Sequence, residues 1–63
     1  MTPDVFAAWL EAMQERGWSQ RRCAAELGTW PKQIRLWRAR GAPQYVGLAC
    51  EALARGLTVW TPA

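Results

Sequence analysis

Four stretches of this chain repeat their apolar residues every three or four positions, and a glycine or a proline stands at each boundary between them. The first places Phe6, Trp9, Leu10 and Met13 on one face and leaves Glu11, Glu15 and Arg16 for water. Thr2 is positioned to cap it, Pro3 suits its opening position, Asp4 suits the positive end of the helix dipole, and Gly17 stops it. Ser19 caps a second helix of about nine residues, with a narrow stripe of Cys23, Ala24 and Leu27 before Gly28 ends it. After a short break Pro31 opens a third helix that runs to Arg40 and stops at Gly41. Pro43 opens a fourth, carrying Tyr45, Val46, Leu48, Ala49, Ala52 and Leu53 to a stop at Gly56. An apolar tail from Leu57 to Ala63 follows; Leu57 to Thr61 alternates weakly, and no strand signal is strong. The pattern predicts an all-α fold, a compact four-helix domain with a short C-terminal tail and no internal repeat.

Length limits what such a domain can hold. A chain of 63 residues makes one domain, spanning 1–63, that buries roughly 60% of its unfolded surface, so help from a partner subunit is expected. Apolar residues make up 51% of the chain and include five tryptophans, too many for disorder. No apolar run approaches the ~20 residues a bilayer crossing needs, and an acidic helix rather than a basic leader follows Met1. A cytoplasmic protein with no membrane partner is the resulting expectation.

Chemistry narrows the field further. Cys23 and Cys50 lie far apart within apolar helical patterns and read as reduced core residues. The chain has no histidine, its five acids Asp4, Glu11, Glu15, Glu26 and Glu51 are scattered, and no glycine-rich phosphate loop occurs. Zinc sites, Cys-His nucleophiles and histidine bases therefore have no residues to build them, and the expectation is a non-enzyme without cofactor, metal or small-molecule ligand.

Charge is where the chain departs from an ordinary small helical domain. Arg16, Arg21, Arg22, Lys32, Arg35, Arg38 and Arg40 face a single acid, Glu26, within 16–40, a net +6 in a chain whose total is +3. The remainder is acidic by 3, so a polyanion is the first partner to consider. On a wheel of about 100° per residue, Ile34 and Trp37 share one side of the third helix, extrapolation puts Trp30 there too, and Lys32, Arg35, Leu36 and Ala39 collect opposite. Lys32, Arg35, Arg38 and Arg40 have no acid three or four positions away, whereas a merely solvated helix mixes signs. Arg21 and Arg22 occupy the first turn of the second helix, where the dipole disfavours cations. A phosphate there suits both guanidiniums, with Gln20 donating to the same backbone; flexible arginines reaching into water are the competing reading.

Gln20, Ala24, Gly28, Ile34 and Trp37 together resemble the helix-turn-helix of the phage repressor and Cro-like (XRE-like) regulators. There glutamine opens the first helix of the pair, a small residue follows four later where the helices cross, glycine makes the turn, and two apolar residues anchor the recognition helix. The likeness extends over about 5–56, and the stretches from Ser19 to Arg22 and from Pro43 to Leu53 are similar to small Cro-like regulators that include anti-CRISPR-associated repressors. It implies a lambda-repressor-like fold with the helix-turn-helix at about 19–40, and double-stranded DNA as partner. Of the residues then facing base edges, Pro31, Lys32, Arg35 and Leu36, Arg35 suits a bidentate pair to guanine, Lys32 a single donor and Leu36 a thymine methyl. Gln20, Arg21, Arg22, Arg38 and Arg40 are expected on phosphates, with Gln33 in either role. Two positions depart from the family, which commonly has serine or threonine where Trp30 stands and glutamate where Arg22 stands. Trp30 is expected to pack on the core or the turn, with the sugar-phosphate edge as the alternative; Trp9, Trp18 and Trp37 read as core.

One recognition helix touches little DNA, and specific operators are commonly palindromes read by two-fold dimers, with half-sites about 34 Å apart. The fourth helix carries two apolar stripes: Tyr45, Leu48, Ala49 and Ala52 on one side, Val46, Cys50 and Leu53 on another, with Val59 and Trp60 beyond. One stripe serves the core, so Tyr45, Leu48, Ala49, Ala52, Val59 and Trp60 are the expected homodimer interface, within a dimerisation segment at about 43–63. A transcriptional repressor excluding polymerase is the leading expectation. A phage-encoded inhibitor laying the same basic face on an acidic protein, and an RNA binder stacking bases on an exposed aromatic, are the rivals.

Overall fold

The computed structural model describes residues 1–62, and four α-helices account for most of them: α1 (Pro3–Glu15), α2 (Gln20–Glu26), α3 (Pro31–Arg40) and α4 (Gln44–Ala54). Each starts where the local chemistry favours it. The Thr2 hydroxyl accepts from the Val5 amide at 3.2 Å and the Ser19 hydroxyl from the Arg22 amide at 3.0 Å, each satisfying one of the donors a helix start leaves open. Pro3 and Pro31 occupy the first helical position, where no amide hydrogen is needed. Neither α3 nor α4 has a side-chain cap; Trp30 and Pro43 stand in those places.

The ends of α1, α2 and α4 close alike. After α2, the Gly28 amide donates to the Ala25 carbonyl at 3.0 Å and the Thr29 amide to the Ala24 carbonyl at 2.8 Å, the paired bonds of a Schellman turn. This closure needs a left-handed residue, and Gly28 supplies it at a φ of 73° without a Cβ to clash. The result is a seven-residue α2, shorter than the apolar pattern suggests, because Leu27 belongs to the cap. Gly41 ends α3 differently. Its φ is 93°, and a Cβ there would lie 2.7 Å from the Met1 carbonyl oxygen. That closeness lets the Met1 amino group donate to the Ala42 carbonyl at 3.0 Å while the Ala42 amide donates to the Met1 carbonyl at 2.9 Å.

Packing gathers around α1, which touches each of the other three helices, while α3 lies against both α1 and α2. Phe6, Trp9, Leu10 and Met13 meet Cys23, Ala24, Ile34, Val46 and Cys50 in one core, flanked by half-buried Trp18, Leu27, Trp37 and Leu53. Phe6 is fully buried, with its ring edge-on to Trp37 and tilted on Trp9, both at 5.8 Å between centroids. Two side chains of α1 bind the far end of the chain. The Trp9 indole donates to the Cys50 carbonyl at 3.1 Å, and an Arg16 guanidinium nitrogen donates to the Ala54 carbonyl at 2.8 Å, one of the acceptors α4 leaves open at its end. Arg16, read from sequence as simply wet, is thus a tie between helices.

Both cysteines are free and buried, as their apolar setting implies. Burial raises the Cys23 thiol against the opposing pull of nearby Arg22, and burial with Cys23 close by pushes Cys50 up to about 12. Both remain protonated and poorly nucleophilic at neutral pH. Among the described residues no strand forms, the weak alternation of Leu57 to Thr61 included, and no helix is long and apolar enough to cross a membrane. Ala63, the last residue of the expected dimerisation segment, lies outside the described residues.

Candidate nucleic-acid interface

Ile34 is fully buried and Trp37 half-buried, so α3 is pinned by the side its apolar spacing selects. Its opposite side is open: Pro31, Lys32, Arg35, Leu36 and Ala39 are all exposed, as are Arg38 and Arg40 nearer its end, while Gln33 is half-buried at the edge. Arg38 and Arg40 fall in the last turn, where the helix dipole welcomes cations, but Lys32 and Arg35 have no such support.

The ion pairs of the chain lie elsewhere. Among the described residues Arg55 meets Glu51 at 2.6 Å, and Arg22 approaches Glu26 at 3.8 Å. Lys32, Arg35, Arg38 and Arg40 touch no carboxylate and donate no hydrogen bond to other described residues, and neither does Arg21. Five cationic side chains therefore project from α2 and α3 with their charge unspent, a potential that draws an anionic surface.

Arg22 is arranged differently from Arg21. Its guanidinium lies 4.2 Å from the centre of the Trp18 ring, a cation–π contact that holds it against the residue preceding the α2 cap. Its backbone amide completes half of a capping box, and its side chain, where a glutamate would close the other half, covers the indole instead. Residues 18 and 22 are four apart, so the pairing was available from spacing, but only if Trp18 lay on the line of the helix. Gln20 is half-buried at the first position of α2.

Trp30 lies beside the turn residues Gly28 and Thr29 and not in the core. It is 59% exposed and belongs neither to the core nor to the residues packed on it. The reason is local: its backbone is extended, at φ −137° and ψ 162°, so it precedes the helix and the wheel that groups it with Ile34 does not apply.

On α4, Val46 and Cys50 are buried and Leu53 half-buried, which makes theirs the core stripe. Tyr45 and Leu48 stand exposed, Ala49 and Ala52 are half-buried, and Leu57, Val59 and Trp60 continue the apolar surface along the tail. The expected interface residues are not one flat patch. Leu48 borders a groove with Met1 and Val5, Ala49 and Ala52 border another with Leu57 and Val59, and Tyr45 lines a third with Trp30.

No protein-family model, curated protein or solved structure matches this chain.

Proposed function

We propose that the chain is a sequence-specific regulator of transcription that binds double-stranded DNA in the cytoplasm, with α2 and α3 forming a helix-turn-helix and α3 entering the major groove. The observation that carries this reading is the outward face of α3, where Lys32 and Arg35 are exposed, unpaired and held on a helix whose other side is locked into the core. A rigid rod of that width fits the groove, and a guanidinium on it reaches guanine O6 and N7 with two parallel bonds. Lys32 and Gln33 add donors and Leu36 an apolar contact, while Gln20, Arg21, Arg38 and Arg40 grip phosphates. Arg22 divides its charge among Trp18, Glu26 and a phosphate. Repression by steric exclusion of polymerase from an overlapping promoter is the mechanism this surface supports.

A homodimer belongs to the same reading. Leu48 on α4 and Leu57, Val59 and Trp60 on the tail are exposed large apolar side chains, the kind of surface a second copy covers. Leu48, Ala49 and Ala52 of α4 with Val59 and Trp60 of the tail then pair two copies across a two-fold axis, presenting two recognition helices to a palindrome, while Tyr45, which lines the separate groove with Trp30, stays outside the contact.

Binding to a randomised duplex library tests the reading. We expect one enriched, two-fold-symmetric motif. Against that motif Arg35→Ala costs about 1–3 kcal/mol and relaxes the preference at one base pair, whereas Arg21→Ala weakens all sequences alike and lowers the salt slope by about one. Equal losses on every sequence for both variants reject the division of roles, and a library with no enriched motif rejects sequence-specific recognition and favours the acidic protein partner.

A further inference from the structure

Trp30 and Tyr45 both line an open groove of about 400 Å³ at the start of α3, together with Gly28, Thr29, Gln33 and Trp37. Both aromatics are largely exposed, at 59% and 67%. Neither stacks on another ring, and neither contributes to the core or donates a side-chain hydrogen bond to other described residues. The Trp30 indole is largely exposed beside the cationic face of α3, and the half-buried Gln33 gives the groove an amide with both donors and an acceptor.

We propose that this groove receives a single nucleobase turned out of the stack of the bound DNA, resting on Trp30 with Tyr45 opposite and the Gln33 amide reading its edge. The proposal rests on the DNA-binding reading and deepens it. Charge complementarity selects the occupant: Lys32 lies two residues from Trp30 and Arg35 one turn further, both without acidic partners, so a polyanion drawn to α3 brings its bases to the mouth of this groove. Every base offers a π-face for an aromatic wall, so stacking is available whatever the sequence. Extrusion costs the stacking and pairing of one base, a cost that is least where the base is already unpaired.

That last point gives the test. Duplexes carrying the library-selected motif are prepared with one unpaired nucleotide placed at each position across and beside it in turn, and affinity is measured for the full chain. We expect one position, near the start of α3, where the unpaired base tightens binding about tenfold. Trp30→Ala abolishes this gain while leaving helicity by circular dichroism unchanged, since the Trp30 side chain makes no capping bond and lies outside the core; Trp30→Phe retains most of it, and Tyr45→Ala reduces it. A flat scan with normal motif binding overturns the base-receiving groove alone, as does a gain that survives in the Trp30→Ala, Tyr45→Ala double variant. Failure to bind any duplex overturns the regulator reading and the groove together.

Discussion

Phe6→Ala is expected to leave the chain largely unfolded at room temperature. Phe6 is fully buried between α1, α3 and the Trp9 ring, and removing a phenylalanine from such a site costs about 3–5 kcal/mol once the cavity it leaves is included. At roughly 0.05–0.15 kcal/mol per residue, a domain of this length has a total stability of about the same size. The two aromatic contacts make relaxation difficult, because Trp37 and Trp9 meet the phenyl ring from different directions and no single shift closes both gaps. Urea denaturation followed by tryptophan fluorescence measures the loss. A midpoint displaced by less than a quarter of the wild-type value contradicts the central place given to Phe6. Because Trp37 holds the inner side of α3, Phe6→Ala also abolishes binding to every DNA sequence, which separates it from Arg35→Ala.

Under the homodimer proposal, Leu48→Asp is expected to give a stable monomer. Leu48 is 66% exposed in the single chain, so the substitution alters the monomer by no more than an ordinary surface change with a modest loss of helix propensity. In the proposed dimer the same position would face the partner, and an ionised carboxylate there would be buried without a counter-charge. Sedimentation equilibrium should report half the wild-type mass at tens of micromolar. The consequence for DNA is larger than any single contact explains, since joining two half-site readers makes the second binding event intramolecular; affinity for the palindrome should fall by about 10²–10⁴ while half-site affinity is unchanged. A variant that sediments as the wild type does removes α4 from the interface.

Much of this architecture is local chemistry and could be read without coordinates. Thr2, Ser19 and the prolines at the starts of α1 and α3 mark beginnings, and the glycines mark ends, because caps and turns depend on a few adjacent residues. Phe6, Leu10, Met13 and Ile34 are core as their spacing requires. What escaped was either outside the helical repeat or distant in the chain. Trp30 shares the spacing of Ile34 and Trp37 but not their backbone, and an extended residue does not follow a 3.6-residue wheel. The stripe of α4 that is buried meets partners distant in the chain, such as the Trp9 indole on the Cys50 carbonyl across 41 positions, and the Met1–Ala42 clasp is equally remote. Arg22 on Trp18 needed the entry angle of the chain into α2. The basic face itself was legible because the absence of acids near Lys32 and Arg35 in sequence persists in space.

Only Gly41, Ala42 and Pro43 separate α3 from α4, and the first two are held against Met1 while the indole of Trp9 and the guanidinium of Arg16 fasten α4 to α1. The helix proposed to read DNA and the helix proposed to pair two copies are thus joined by three residues and tied to each other through α1. Under the dimer reading, the distance separating two recognition helices becomes a constant of the fold, like the gap of a fixed caliper. A spacer lengthened by one base pair turns the second half-site by about 34° and moves it by ~3.4 Å, so such a site is measured and refused even when every base in both halves is right.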